Sequence, residues 1–262
     1  MDQPTHPQGD LVGVVLGAGS STRLGRPKQT LPLGDTTLLG WAVRAAEASC
    51  LDRVVVVLGG AADEAEAGMT TRRATIVRND GYGTGCASSL LAGLDAAVAT
   101  AAAGADDTTG TTTGDAVATT GGEPSGGEPG GGEPGGGLAG IVMLLGDMPG
   151  VDSGIVDAVV AAWRAQPTWA AVTEYDDGLG HPFVFSAQAF ATLRTLHGDK
   201  AVWKIVDAEP EARVRRIRVH RPVPLDVDTW DDYLAVRRQI QPPSRGPGAG
   251  GSTAEPQLHS VT

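Results

Sequence analysis

The run Leu16-Gly-Ala-Gly-Ser-Ser-Thr-Arg-Leu-Gly-Arg-Pro-Lys28 concentrates the residue types that bind a polyphosphate. Gly17 and Gly19 let the backbone turn tightly and present its N–H groups, while Arg23, Arg26 and Lys28 set fixed positive charge beside the turn. Each phosphate oxygen needs donors and charge compensation, which bare amides and nearby cations supply. The spacing is neither that of a P-loop nor the three-glycine dinucleotide fingerprint. A solvated glycine-rich turn is the competing interpretation, and the clustered cations favour phosphate. Leu16, Gly17, Ala18, Gly19, Ser20, Ser21 and Lys28 are therefore the candidate nucleotide-binding residues, with Arg23 and Lys28 as catalytic cations.

Asp147, in Leu144-Leu-Gly-Asp-Met-Pro149, follows an apolar run and is the next chemical feature. A bound nucleoside triphosphate needs Mg²⁺ across its phosphate oxygens, held by one or two carboxylates plus the substrate itself. Asp147 could instead cap a helix, but Pro149 and Gly150 intervene and Ser153 is the better placed N-cap. In Pro224-Leu-Asp-Val-Asp-Thr-Trp230 an extended chain would put Asp226 and Asp228 on one face and Val227 on the other. Both are candidate metal ligands, Asp226 the better one, because Asp228 is also placed to cap a helix beginning near Thr229.

Asn79 offers a donor and an acceptor to the edge of a base, although Asn79-Asp-Gly81 is equally a turn signal. The glycines of Gly81-Tyr-Gly-Thr-Gly85 allow close approach to a ring, and Ser88 and Ser89 open a helix. Gly180-His-Pro-Phe183 and His197-Gly-Asp-Lys200 supply His181 and Lys200 as acceptor-side candidates. A lone histidine is more often structural. A lysine at a helix start opposes the helix dipole, which favours a ligand-facing role.

Together the strand, Leu16-Gly-Ala-Gly-Ser-Ser-Thr-Arg-Leu-Gly25 and Pro27-Lys-Gln29 resemble the opening motif of the MobA/MocA-like NTP transferases, which activate the molybdenum cofactor. That opening usually reads Leu-Ala-Ala-Gly; here Gly17 replaces the first alanine, a change the backbone tolerates. Gly146-Asp-Met-Pro149 matches the family's metal-binding motif, and Asp226-Val-Asp-Thr229 its later carboxylate pair. Gly85-Cys-Ala-Ser-Ser-Leu90 resembles the cytidylyl-transferring members, whereas guanylyl-transferring ones read Pro-Leu-Ala-Gly. The resemblance covers most of residues 11–240. It implies Mg²⁺-dependent transfer of CMP from CTP to molybdopterin with release of pyrophosphate. It also implies a possible molybdoenzyme or chaperone partner. GTP, another phosphorylated acceptor, and a non-catalytic accessory protein that only binds nucleotide all stay open. A dinucleotide-dependent oxidoreductase would need the fingerprint that the loop lacks.

The elements that must hold these residues are legible too. Leu11–Leu16, Arg53–Leu58, Ala74–Arg78 and Ile141–Leu145 are continuous apolar or β-branched runs separated by helical patterns at Thr37–Ser49, Ala61–Met69 and Ala87–Val98. That alternation predicts an α/β, three-layer Rossmann-like domain with a mostly parallel sheet. Later strands are expected at Trp169–Thr173, Phe183–Phe185 and Val214–Val219, with helices at Ser153–Ala165 and Thr229–Arg238. Ligands of such sheets lie beyond the carboxyl ends of the strands, so the glycine loop, Asn79 and Asp147 should converge. The arginine run from Arg213 to Arg221 alternates with apolar residues as a solvent-facing edge strand does.

Residues 99–137, with Gly-Gly-Glu-Pro three times, have almost no apolar content to offset ordering entropy, so a disordered insertion is expected there, as are a flexible stretch at 1–10 and a tail at 241–262. The chain has 262 residues, two cysteines and a formal net charge of −11. Two cysteines make no disulfide framework, which suits a reduced cytoplasm. The acidity argues against non-specific nucleic-acid binding. The polar start and the absence of a long unbroken apolar run argue against export or a membrane.

Overall fold

A computed structural model describes residues 9–19, 21, 24–106, 137–210 and 212–240. Its centre is a seven-stranded sheet in the order β5-β4-β1-β6-β8-β7-β9. These strands are β1 (Asp10–Gly17), β4 (Arg53–Leu58), β5 (Ala74–Arg78), β6 (Leu138–Leu145), β7 (Ala170–Glu174), β8 (Leu179–Ser186) and β9 (Val214–Arg218). Strands β5, β4, β1 and β6 are mutually parallel, and β7 pairs with β9 in parallel. Only β8 runs against the rest, because a tight turn in which Tyr175 N–H donates to the Gly178 carbonyl makes β7 and β8 a hairpin.

The alternation of side chains along each strand feeds two separate cores. Leu11, Val15, Val54, Val56, Val142 and Leu144 face one side, where they meet α1 (Leu38–Ala48), α2 (Ala62–Ala67) and α4 (Ser153–Ala165). Val12, Val14, Val55, Val57, Ile141 and Met143 face the other, covered by α3 (Cys86–Asp106), α5 (Phe190–Leu193) and α6 (Ala201–Ala208). Each such fully buried side chain contributes about 1.5–3 kcal/mol relative to exposure. A third, small cluster joins the β2 (Pro32–Leu33)/β3 (Thr36–Thr37) hairpin to α7 (Trp230–Ile240) through Leu33, Leu38, Val227, Tyr233 and Val236.

Several sequence expectations change. The N-cap of α4 is Asp152, which accepts from Ile155 N–H at 2.9 Å, rather than Ser153. Helix α7 is capped by Thr229 and Asp232, each bonding the other's backbone N–H, so Asp228 is not its cap. Helix α3 continues to Asp106, eight residues into the stretch expected to be disordered; residues 107–136, 1–8 and 241–262 lie outside the described residues. By average hydropathy its Cys86–Ala103 window is long and apolar enough to cross a membrane, because many alanines do what a run of leucines would. Its Leu90, Leu94 and Ala97 are fully buried against the sheet. The helix start expected at Lys200 is that of α6, whereas the β2/β3 hairpin was not legible from periodicity, being too short to show one.

Candidate active site

The site forms where β1 and β6 end side by side. Gly146 N–H donates to the Leu16 carbonyl at 2.9 Å, which brings the turn carrying Asp147 against the glycine loop. A β-carbon on Gly17 would lie 2.9 Å from Leu39 Cδ1, and one on Gly146 would lie 2.6 Å from the same atom. The two glycines thus leave room for one leucine of α1, which fills the space beneath both loops.

The glycine loop is tied to the turn that bears Lys28. Ser21, at φ 52°, accepts from Lys28 N–H through Oγ at 2.9 Å, and Gln29 Nε2 donates to the Gly19 carbonyl at 2.7 Å. Lys28 opens the 3-10 turn Lys28–Thr30 and points its ammonium inward. Nζ lies 2.6 Å from Asp147 Oδ2 and 2.9 Å from Asp228 Oδ1, and it donates to the Val227 carbonyl at 3.0 Å. Asp226 Oδ1 is 3.9 Å away. Burial alone would lower the pKa of this ammonium, but the charge and hydrogen bond of Asp147, then Asp228 and Asp226, push it up to about 12.

The segment 223–228 belongs to no helix or strand. Val227 N–H donates to the Asp147 carbonyl at 3.1 Å and its side chain is fully buried. The segment is not the strand considered from the sequence, and Asp226 and Asp228 lie 3.9 Å and 2.9 Å from the Lys28 ammonium. Burial, and next the charge of Asp147, push Asp226 up to about 7. Among the described residues Asp147 Oδ1 is buried without a hydrogen-bond partner.

A cleft of about 440 Å³ opens over these groups. Of the residues expected at the site, Leu16, Ala18, Gly19, Ser21, Lys28, Gly85, Ser89, Asp147 and Asp228 line it. Ser20 and Arg23 lie outside the described residues. Gly17 lies behind the wall. Asn79 borders an adjoining hollow of about 300 Å³, with Tyr82 as the shared wall. The Asn79 amide nitrogen donates to Ser88 Oγ and Ser89 Oγ, each at 3.0 Å, and its oxygen accepts from Gly81 N–H, so this side chain shapes the loop.

His181 and Lys200 do not join that lining. The imidazole is buried edge-on against Phe183 and Trp203, and burial pulls its pKa down to about 3, so it is neutral. Lys200 is exposed at the start of α6, and its neighbour Asp199 faces the cleft instead. Asp199 Oδ1 accepts from Cys86 N–H at 3.0 Å, and Gly85, at φ 112°, lies so close to Gly198 that a β-carbon would meet its backbone at 2.8 Å. Tyr82, Gly83, Cys86, Leu145 and Asp199 complete the wall; the first three belong to the loop expected at the base, while Leu145 and Asp199 were not anticipated. An aromatic between glycines just past β5 was the available signal for Tyr82; Asp199 had none beyond its place in His197-Gly-Asp-Lys200. Burial first, then Asp147 and Asp199, push the Cys86 thiol up to about 11, which leaves it un-ionised and a poor nucleophile.

Of the arginine run, Arg215, Arg216 and Arg218 lie on β9 at the sheet edge, with Arg213 and Arg221 flanking the strand. Arg215 donates to the Ala162 carbonyl of α4, and Arg221 pairs with Asp152. Both are structural.

Residues 13–214 match the profile of the MobA-like NTP transferase domain. The chain belongs to the MobA-like NTP transferase family. It is accordingly a nucleotidyltransferase. Among solved structures it is similar to the homologue of Mycobacterium tuberculosis Rv0371c from Mycobacterium sp. strain JC1, at 38% identity over 88% of this chain and 96% of that one, TM-score 0.65. Rv0371c from M. tuberculosis H37Rv is 35% identical over 88% of this chain and 99% of that one, TM-score 0.67. A manganese complex of Rv0371c matches at 34% identity over 87% of this chain and 98% of that one, TM-score 0.62. No curated protein sequence matches significantly.

Proposed function

We propose that this transferase moves CMP from CTP to the phosphate of molybdopterin and releases pyrophosphate, with Mg²⁺ as its metal. The observation that carries the reading is the convergence of Lys28, Asp147 and Asp228 in a cleft walled by the glycine loop, with Asp226 at 3.9 Å from the same ammonium. Phosphoryl chemistry asks little of a protein beyond position and charge compensation. An acceptor phosphate is already ionised near neutral pH, so the neutral His181 and the un-ionised Cys86 are not needed as base or nucleophile.

The residues present fit a divalent ion. Among the described residues Asp147 Oδ1 is buried with no donor, and three carboxylates face one ammonium. A pair of carboxylates completed by substrate phosphates is the usual donor set for Mg²⁺. Asp147 would hold the ion together with Asp226 or Asp228. When bound, it would neutralise charge on the α-phosphate and bring donor and acceptor together. That Rv0371c forms a manganese complex supports a divalent ion as the metal.

In the transfer, an acceptor oxygen forms a bond to the α-phosphorus as the bond from that phosphorus to the bridging oxygen breaks. The electron pair leaves with pyrophosphate. Lys28 compensates its growing charge, and the amides of the glycine loop orient it. CTP is the preferred nucleotide on the strength of the Gly85–Leu90 resemblance, and molybdopterin the acceptor on the strength of the family. The test is pyrophosphate release with molybdopterin and Mg²⁺, comparing CTP, GTP, ATP and UTP. Turnover with CTP well above the others is expected. Preference for GTP would overturn the base assignment, and nucleotide binding without release from any of the four would make the chain a carrier.

A further inference from the structure

Lys28 does more than face a polyphosphate. Its ammonium sits at the point on which the acidic side chains converge, in contact with Asp147 and Asp228 and within reach of Asp226. Among the described residues no group of three His, Cys, Asp or Glu side chains is arranged to hold a metal unaided. The carboxylates are grouped around an ammonium, and a divalent ion drawn to Asp147 and Asp228 would compete with Lys28 for the same oxygens. The backbone of Lys28 is anchored through Ser21 Oγ, while its flexible four-carbon stem borders the cleft. The ammonium can therefore swing toward the cleft with the turn beneath it unmoved.

We infer that Lys28 is an exchangeable internal cation, holding Asp147 and Asp228 together in the nucleotide-free protein and ceding them to the divalent ion as it moves onto the polyphosphate. This rests on the metal-assisted transfer proposed above. A metal arriving alone must expel the ammonium from its carboxylates with nothing to receive it. A metal arriving with nucleotide brings the phosphates that receive it. Metal and nucleotide then bind cooperatively through this side chain, and the coupling is reciprocal.

The test measures Mn²⁺ binding from the free-ion electron paramagnetic resonance signal, in the wild-type chain and in Lys28→Met, which keeps the stem and removes the charge. Without nucleotide, Lys28→Met is expected to bind Mn²⁺ at least about tenfold more tightly, since a competing charge within a few ångströms is gone. A non-hydrolysable CTP analogue should then tighten Mn²⁺ binding far more in wild type than in the variant. Equal or weaker binding by folded Lys28→Met overturns the exchange. No Mn²⁺ binding to wild type even with the analogue overturns the metal reading itself.

A measurement on the wild-type chain stands apart from the variant's folding. The chain's lysines are Lys28, Lys200 and Lys204, so the side-chain ¹⁵N resonance of Lys28 is readily assigned. Mg²⁺ alone should leave it in place, and Mg²⁺ with the analogue should shift it. Displacement by Mg²⁺ alone at the same concentration, or no displacement with both, contradicts the exchange.

Discussion

At the level of single residues, the polar groups of the cleft divide by what they touch. Lys28 and Asp147 are the central pair, 2.6 Å apart. Lys28→Ala and Asp147→Asn should each lower kcat by about 10²–10³, the loss seen when one transition-state donor is removed, while circular dichroism stays that of the folded chain. His181 is a different case. Its folded pKa, about 3, lies below the ordinary 6.5, so the stability it contributes is full above pH 6.5 and is lost as pH falls toward 3. Urea unfolding between pH 7 and 4 should show stability falling with a slope of up to about 1.4 kcal/mol per pH unit from this group. His181→Leu should flatten that dependence; an unchanged slope would mean the ring is not buried neutral. The type of each of these residues was legible in the sequence, but His181's burial was not. It depends on the packing of Trp203 of α6 against the ring, a tertiary contact that local sequence does not record.

At the scale of elements, the site depends on how closely two strand ends approach. Leu39 of α1 occupies the space left by Gly17 and Gly146, so the apolar helix face and the two chemical loops are one construction. Leu39→Ala should cost about 2–5 kcal/mol in urea unfolding. Gly17→Ala, which restores the family's usual residue, should cost about 1–3 kcal/mol here because Leu39 must give way. If Gly17→Ala is neutral, Leu39 repacks freely and the close approach is not required. Asn79 acts on the same scale. It ties Ser88 and Ser89 at the start of α3 to the end of β5, so Asn79→Ala should raise the KM for nucleotide by about 5–10-fold, in line with the loss of one to two hydrogen bonds, and leave kcat nearly unchanged. Strand positions were legible because β-branched runs such as Arg53–Leu58 admit little else. The caps were not: Asp152 and Ser153 are both good N-caps, and only the course of the backbone chooses between them.

At the scale of the whole molecule, every strand of the sheet but β8 points its carboxyl end to one edge, and the chemistry collects there. This follows from a pattern visible in the sequence, apolar strands alternating with helices, which is why the glycine loop and Asp147 could be expected to meet. The partners from the far end of the chain were less accessible. Asp226 and Asp228 reach the site because Val227 packs into the small cluster of the β2/β3 hairpin and α7, a long-range contact that no local periodicity records. Asp199 arrives through the contact of Gly85 with Gly198, which is likewise long-range. A formal net charge of −11 sets the molecule against a polyanionic substrate overall. The local cation and a divalent ion have to overcome that repulsion.

The most direct test of this account is mass spectrometry of molybdopterin after incubation with CTP, Mg²⁺ and either the wild-type chain or Asp147→Asn. Wild type should convert the acceptor to its cytidylylated form with one pyrophosphate released per product, and Asp147→Asn should do so at least about 10²-fold more slowly. Undiminished conversion by Asp147→Asn, or no nucleotidylated acceptor from wild type with any nucleoside triphosphate, would contradict it.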